Sequence, residues 1–413
     1  MPKFQKKIFL ILILSFIFRL ILIPVAHHGD LNNNISWGNE ALVRGFINFY
    51  ESKNWPYSVP NQPPLYIFLF TISSFLYKYI GTISFFLNDK IGIFPSSFIW
   101  FWQNSGMDIL VKLPGILADL VIGYLIYKKT NLKLTILWLF NPITWYLSSI
   151  WGQTDSVVNL FGLISIFFLL KRDLIKFSIF YTISLLFKPS LLILSPVLLV
   201  IAIIQKYKKQ IWIKSIIYSS IIIILSSILF HPKFDLPIWL FNLYKDRFIS
   251  GEIGDLQANA FNFWWLIDSK KVLDSTIYLG LPARVLGYLI TIAAIIPNLF
   301  FLKKKFLPKN IFILLALSAL ITFLFMTRIH ERYLYPFFPL ATISLAFFNW
   351  LTIPYIILSI TFFLNLYHLF YAPSIPVLES LYSFQFFPVI LSLINILTFG
   401  YLLFKLSKIK TNL

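Results

Sequence analysis

The run HHGDLNNNISWGNE, His27 to Glu40, follows directly on an apolar block, Ile8 to Ala26, and opens the longest polar stretch of the chain, which continues to Met107. Its first carboxylate, Asp30, stands where hydrocarbon must give way to water. The fold depends on what precedes it. A basic N-terminus with an apolar block fits a signal peptide, but Arg19 interrupts the apolar core and no small-residue cleavage site follows, so the block reads as an uncleaved first span running outward. Residues 27–107 then form a first outer loop, an ordered cap on the membrane surface. Within it, Pro64 to Leu87 is apolar and aromatic. Counted as a span, it would reverse the sidedness of every later basic turn, so it is expected to be an interfacial helix with its rings at headgroup level.

Composition sets the class. Of 413 residues, 58% are hydrophobic and 12% charged, and mean hydropathy is +0.80. Soluble domains carry about a quarter charged residues, so this is a polytopic membrane protein. The net charge of +19 is gathered in short turns such as Lys128/Lys129/Lys133, Lys171/Arg172/Lys176 and Lys206/Lys208/Lys209. By the positive-inside rule these turns are cytoplasmic; the charge reads as topology and no nucleic-acid partner is expected. Cysteine is absent, which excludes disulfides, thiolate nucleophiles and thiolate metal sites.

The pattern predicts an all-α bundle of about twelve spans in a single domain, residues 1–413, with no clear internal repeat. After Ile8–Ala26 and Ile109–Tyr127 come Leu132–Ser149, Val157–Leu170, Leu174–Phe187, Leu191–Ile204, Ile211–Phe230, Ile277–Leu302, Ile311–Met326, Tyr333–Phe348, Leu351–Phe370 and Phe384–Phe404. Residues 231–276 form a second outer loop. Both termini fall in the cytoplasm of a multi-pass plasma-membrane protein, and the acidic residues gather on the opposite face.

Four places could carry chemistry on that face. Asp30, at the mouth of the first span beside His27, His28 and Gly29, is either a base whose pKa burial raises or a cap for a helix starting near Leu31. Asn141-Pro142 and Trp151-Gly152-Gln153-Thr154-Asp155 break a span and present Gln153 and Asp155 outward, unless Asp155 merely caps the next helix. Lys188-Pro189 is a cation on the outer side, either facing an anion or snorkelling. Thr327 to Tyr333 concentrates Arg328, His330, Glu331 and Arg332, forked donors suited to phosphate oxygens or to lipid headgroups. No His spacing suits a metal, and no phosphate-cradling glycine loop is present.

These residues occur in an order that resembles the GT-C superfamily of membrane glycosyltransferases: an outer-loop Gly29-Asp30, Pro63-Pro64-Leu65-Tyr66, Lys112 with Asp119, Asn141-Pro142, Gly152-Gln153-Thr154-Asp155, Lys188-Pro189, Asn259-Ala260-Phe261-Asn262-Phe263-Trp264 and His330-Glu331-Arg332-Tyr333. The chain is most similar to prokaryotic mannosyltransferases related to the GPI-anchor mannosyltransferases, and beyond them to lipid-linked-oligosaccharide glucosyltransferases. The resemblance implies a polyprenyl-phosphate-sugar donor, inverting transfer on the extracytoplasmic side, a lipid, glycan or protein acceptor, surrounding membrane lipid, and neither cofactor nor metal. It implies Asp30 as the catalytic carboxylate and sets His330-Glu331-Arg332 near the donor phosphate; from their chemistry Arg332, His330, Arg328 and Lys188 are expected to hold that phosphate, and Glu40, Gln153, Asp155 and Glu331 to bind or orient substrate. A lipid or glycan transporter or flippase, and an oligosaccharide ligase of the O-antigen type, are the alternatives.

Overall fold

The structure is a computed structural model that describes residues 3–249, 254–268, 270, 272–304 and 306–408. It is an all-α bundle. Helix α1 (Lys3–Leu22) ends where Pro24 forces a 3₁₀ turn. Two helices then lie inside the expected first outer loop, α2 (Gly29–Arg44) and α3 (Pro64–Phe86), followed by α4 (Ser96–Lys129). The expected span at Leu132–Ser149 is broken at Asn141-Pro142 into α5 (Leu132–Leu139), the single turn α6 (Pro142–Trp145) and a π-helical turn ending at Trp151. Next come α7 (Asp155–Leu170), α8 (Leu174–Phe187), α9 (Ser195–Ile204) and α10 (Lys209–Ser227). The expected second loop, residues 231–276, carries α11 (Leu236–Leu243) and α12 (Phe263–Ile267); the span expected from Ile277 opens instead on a short hairpin, Ile277–Tyr278 with Leu281–Pro282, turning at Gly280 with φ +79°, and its helix starts at Ala283. The chain closes with α13 (Ala283–Lys304), α14 (Pro308–Phe325), α15 (Phe337–Ser344), α16 (Thr352–Phe370), α17 (Pro376–Tyr382) and α18 (Phe387–Ser407). Pro64, Pro142, Pro308 and Pro376 each occupy a first helical position, where the missing N–H costs nothing.

Among the described residues, eight helices are long and apolar enough to cross a membrane, and α7, α8 and the Pro189–Ile204 segment are shorter apolar ones. The chain is an integral membrane protein. The helix expected at the interface, Pro64 to Leu87, is among the eight by length and composition. It pairs with the part of α4 that precedes Lys112, whose ammonium meets Ile23 O and Ala26 O at the C-terminal end of α1, so this helix lies beyond the end of the first helix rather than beside it. The helix expected to start at Ile109 starts at Ser96 and is 34 residues long, about 51 Å, so the second half of the expected first loop is a helical hairpin of α3 and the first third of α4. The polar run from Gln103 to Asp108 hid this continuity.

Pro114 lies inside α4 and cannot donate to the carbonyl one turn back. That carbonyl, Leu110 O, instead accepts the buried Ser73 hydroxyl of α3 at 3.1 Å. One large apolar core joins α4 to α9, α13 to α16 and α18, with α14 its most enclosed helix. A second, aromatic core of Trp37, Phe49, Tyr50, Phe70 and Phe230 ties α2 and α3 to the segment after α10. The ends that matter for chemistry coincide. The C-terminal ends of α1, α8 and α14 and the N-terminal end of α7 lead into the candidate site, while their other ends lead to basic turns.

Candidate active site

Asp30 does not cap α2. The cap is His28, whose Nδ1 accepts the Asp30 backbone N–H at 3.0 Å. This leaves the Asp30 carboxylate in the first turn, where the helix dipole favours an anion. Its Oδ2 accepts Gln153 Nε2 at 2.6 Å and lies 3.5 Å from His28 Nδ1. The His28 ring packs on Trp151 and Phe370, with centroids 4.9 and 4.6 Å away, so His28 is clamped by two elements distant in sequence. The side chain of Asp30 retains 39% of its surface, enough to reach an incoming group.

Gln153 and Asp155 follow Gly152, which adopts φ +86°. A Cβ at Gly152 would lie 2.6 Å from Leu31 Cδ2, so both the turn and the approach of α2 demand glycine. Asp155 does not cap α7 through its side chain either. It is the first residue of α7, and its Oδ1 takes Lys188 Nζ at 3.0 Å, both side chains being nearly buried. Lys188 is therefore paired rather than snorkelling, and its ammonium stands 5.4 Å from the centroid of the Tyr333 ring.

The late polar run completes the group. Glu331 is fully buried and accepts Arg332 Nη1 at 2.9 Å. Burial opposes the charge of Arg332, but Glu331, Asp30 and Asp155 around it outweigh that and hold it cationic. Burial also works to raise Asp30, yet Arg332, His28, the Gln153 hydrogen bond and Lys188 together keep its carboxyl below the ordinary range. This reverses the expected direction, because the nearby cations win over desolvation. Asp30 is ionised across physiological pH, a weak base that is always available. His330 is pushed down to about 3 by burial, then by Arg332 and Lys188, against a smaller pull from Asp30. It is a neutral donor or acceptor. Three buried polar atoms here, Asp155 Oδ2, Glu331 Oε2 and Arg332 Nε, have no hydrogen-bond partner among the described residues, so binding capacity remains.

Two expected residues go elsewhere. Arg328 grips Asp274 through two bonds of 2.6 and 3.1 Å. Glu40 pairs with Arg44 at 2.5 Å, ten residues or about 15 Å along α2 from Asp30. The structure also supplies groups that composition did not point to. Tyr66 is buried and close to Thr154, Asp155, Arg332 and Asp30. His330 is seated by bridges to Ala258 and Asn259, and that strand-like segment is held by Asn365, which accepts Phe261 N–H at 2.9 Å and donates to Asn259 O at 2.6 Å. The signal for Asn365 was an amide within an otherwise apolar helix. Among the described residues no cluster of His and carboxylates suits a metal ion.

No protein-family model matches the chain, and no curated protein is significantly similar to it.

Proposed function

We propose that this protein is an inverting GT-C-type glycosyltransferase that moves a hexose, mannose being the first choice, from a polyprenyl-phosphate-linked donor to an acceptor hydroxyl at the extracytoplasmic face of the plasma membrane. The observation that carries this reading is the meeting of Asp30 with Arg332, Lys188 and His330, groups separated by up to three hundred residues of sequence, at the helix ends opposite the basic turns. With basic turns cytoplasmic, that end faces outward, and a lipid-linked sugar presents its phosphate at this depth.

The residues fit the bond changes. Asp30 accepts the proton of the acceptor hydroxyl as its oxygen bonds to the anomeric carbon. The bond from that carbon to the phosphate oxygen breaks on the opposite face, and its electron pair leaves with the phosphate. Glycoside hydrolases need a second carboxylic acid because an alkoxide leaves; a phosphate leaves as a stable anion, so one carboxylate suffices. Arg332 and Lys188 each keep donors beyond those bonded to Glu331 and Asp155, and in a water-poor site such contacts contribute several kcal/mol. Gln153 and His28 hold Asp30 in line, and Glu331 orients Arg332.

The test is transfer by the purified protein in lipid vesicles, with polyprenyl-phosphate mannose and with a diphosphate-linked oligosaccharide as rival donors. The reading expects product from the first donor only, with inverted anomeric configuration by NMR. Asp30→Asn should bind the donor and lose about 10³-fold in turnover. Transfer from the diphosphate donor alone, or near-normal turnover of Asp30→Asn, defeats it.

A further inference from the structure

Lys112 and Asp119 are both buried in one apolar helix, and the chemistry above uses neither. They lie seven residues apart on α4, two turns along one face. The Lys112 ammonium has three donors, and each finds a backbone carbonyl: Ile23 O at 2.8 Å, Ala26 O at 2.7 Å and Ile150 O at 3.0 Å. Two of these belong to the turn that leads into His28 and Asp30, and the third to the turn that leads into Gln153. One side chain thus ties together the two segments whose ends meet in the 2.6 Å contact between Gln153 and Asp30. Between the two charges, on the same face, Gly115 lets the chain come close, since a Cβ there would stand 2.7 Å from Gln153 O.

Asp119 serves the other half. Its Oδ1 accepts the Tyr335 hydroxyl at 2.5 Å, and Arg19 Nε of α1 lies 3.8 Å from Oδ2. Tyr335 is three residues beyond Arg332, and its hydroxyl also meets Ser156 Oγ at 3.0 Å, next to Asp155. The same α4 face therefore carries one anchor for the carboxylate side of the site and one for the cationic side.

We infer that Lys112, Gly115 and Asp119 are positioning residues: Lys112 and Gly115 set the placement of Asp30 against Gln153, and Asp119, acting through Tyr335, sets the placement of Arg332 and Asp155. The kinetic form of this inference rests on the proposed glycosyl transfer; the geometric form does not. Buried charges that only hold α4 in the bundle would, on removal, lower stability and leave the two kinetic constants moving together or not at all.

The experiment compares Lys112→Met with Tyr335→Phe, which removes a single hydroxyl, in the full-length protein. Lys112→Met should lower kcat by about 10- to 100-fold, the range expected when reacting groups are misplaced by an ångström, with donor KM within about 3-fold. Tyr335→Phe should raise donor KM by about 5- to 10-fold with kcat within about 3-fold. The same parameter moving in both variants, or neither moving in folded protein, overturns the inference. Should Lys112→Met fail to fold, Gly115→Ala takes its place and must give the same loss in kcat. The chain has no cysteine, which permits a readout that needs no reaction. Asp30→Cys with Gln153→Cys is joined by a short bis-thiosulfonate reagent, and the rate is followed by peptide mass spectrometry. Lys112→Met, or Gly115→Ala in its place, should slow this cross-link at least about 10-fold while Tyr335→Phe leaves it unchanged; equal rates overturn the inference. If the wild-type protein transfers no sugar but the cross-link obeys Lys112, the functional reading has failed and the positioning has not.

Discussion

Arg328 and Arg332 stand one turn apart in the same polar run, yet they belong to different regions. Arg328, at φ +60° and about one-third exposed, is turned toward the loop between α12 and α13, where its fork closes on the buried Asp274. Arg332 is largely buried and shares its field among Glu331, Asp30 and Asp155. The residue type is the same, and the neighbours decide the role: one guanidinium braces a loop and the other sits beside the candidate base. The widest separation is therefore expected between these two. Arg332→Lys keeps the charge on buried Glu331 but loses the fork, and should lower donor kcat/KM by about 10²-fold. Arg332→Ala should lower it further, at a cost of about 3–5 kcal/mol in stability because Glu331 is left buried and alone. Arg328→Ala should change kcat/KM by less than about 3-fold and speed limited proteolysis of residues 254–274. Equal kinetic losses at the two arginines would erase the distinction.

The comparison also measures how much could be read from the chain. The helical class and the membrane follow from hydropathy and charge bias, and the polar positions Asp30, Gln153, Asp155, Lys188 and His330-Glu331-Arg332 from where the apolar blocks break, which are local properties. What was hidden is pairwise. Nothing in the run from Thr327 to Tyr333 says which arginine meets Asp274, 54 residues before Arg328. Nothing near Asp30 announces that cations from residues 188 and 332 would reverse the effect of burial on its carboxyl. The extent of α4 was obscured for another reason: Gln103 to Asp108 is polar on average, but Trp102, Gly106 and Leu110 keep one face buried, and an average does not see a face.

The cationic region carries a pH signature at His330. The His330 ring titrates at about 3 in the fold and near 6.5 in an unfolded chain. Between those values the unfolded state binds the extra proton, so stability is full above about pH 6.5 and falls as pH drops toward 3. From pH 6.5 to 5 the loss should be on the order of 1–2 kcal/mol. His330→Gln should flatten that limb in thermal melts, whereas Arg328→Ala should leave its slope unchanged. A slope that survives His330→Gln would place the titrating group elsewhere.

The smallest effect is expected at Glu40, which sequence placed with the substrate groups and the structure pairs with Arg44. Both partners are partly exposed and one turn apart on α2, an arrangement that contributes about 0.3–0.5 kcal/mol. Arg44 is also held from its other side by Ser52 Oγ at 2.6 Å and lies over the Trp55 ring at 5.3 Å, so it stays in place when Glu40 is neutralised. Glu40→Gln should therefore shift the melting temperature by no more than about 1–2 °C and leave both kinetic constants within about 2-fold. The result has weight because α2 is the helix that presents Asp30. If Glu40→Gln lowered kcat 10-fold without loss of stability, a group about 15 Å away along the same helix would be reaching the acceptor. The site would then extend along α2 beyond the carboxylate half, and the contrast between a compact buried centre and an outer bracing region would no longer describe the protein.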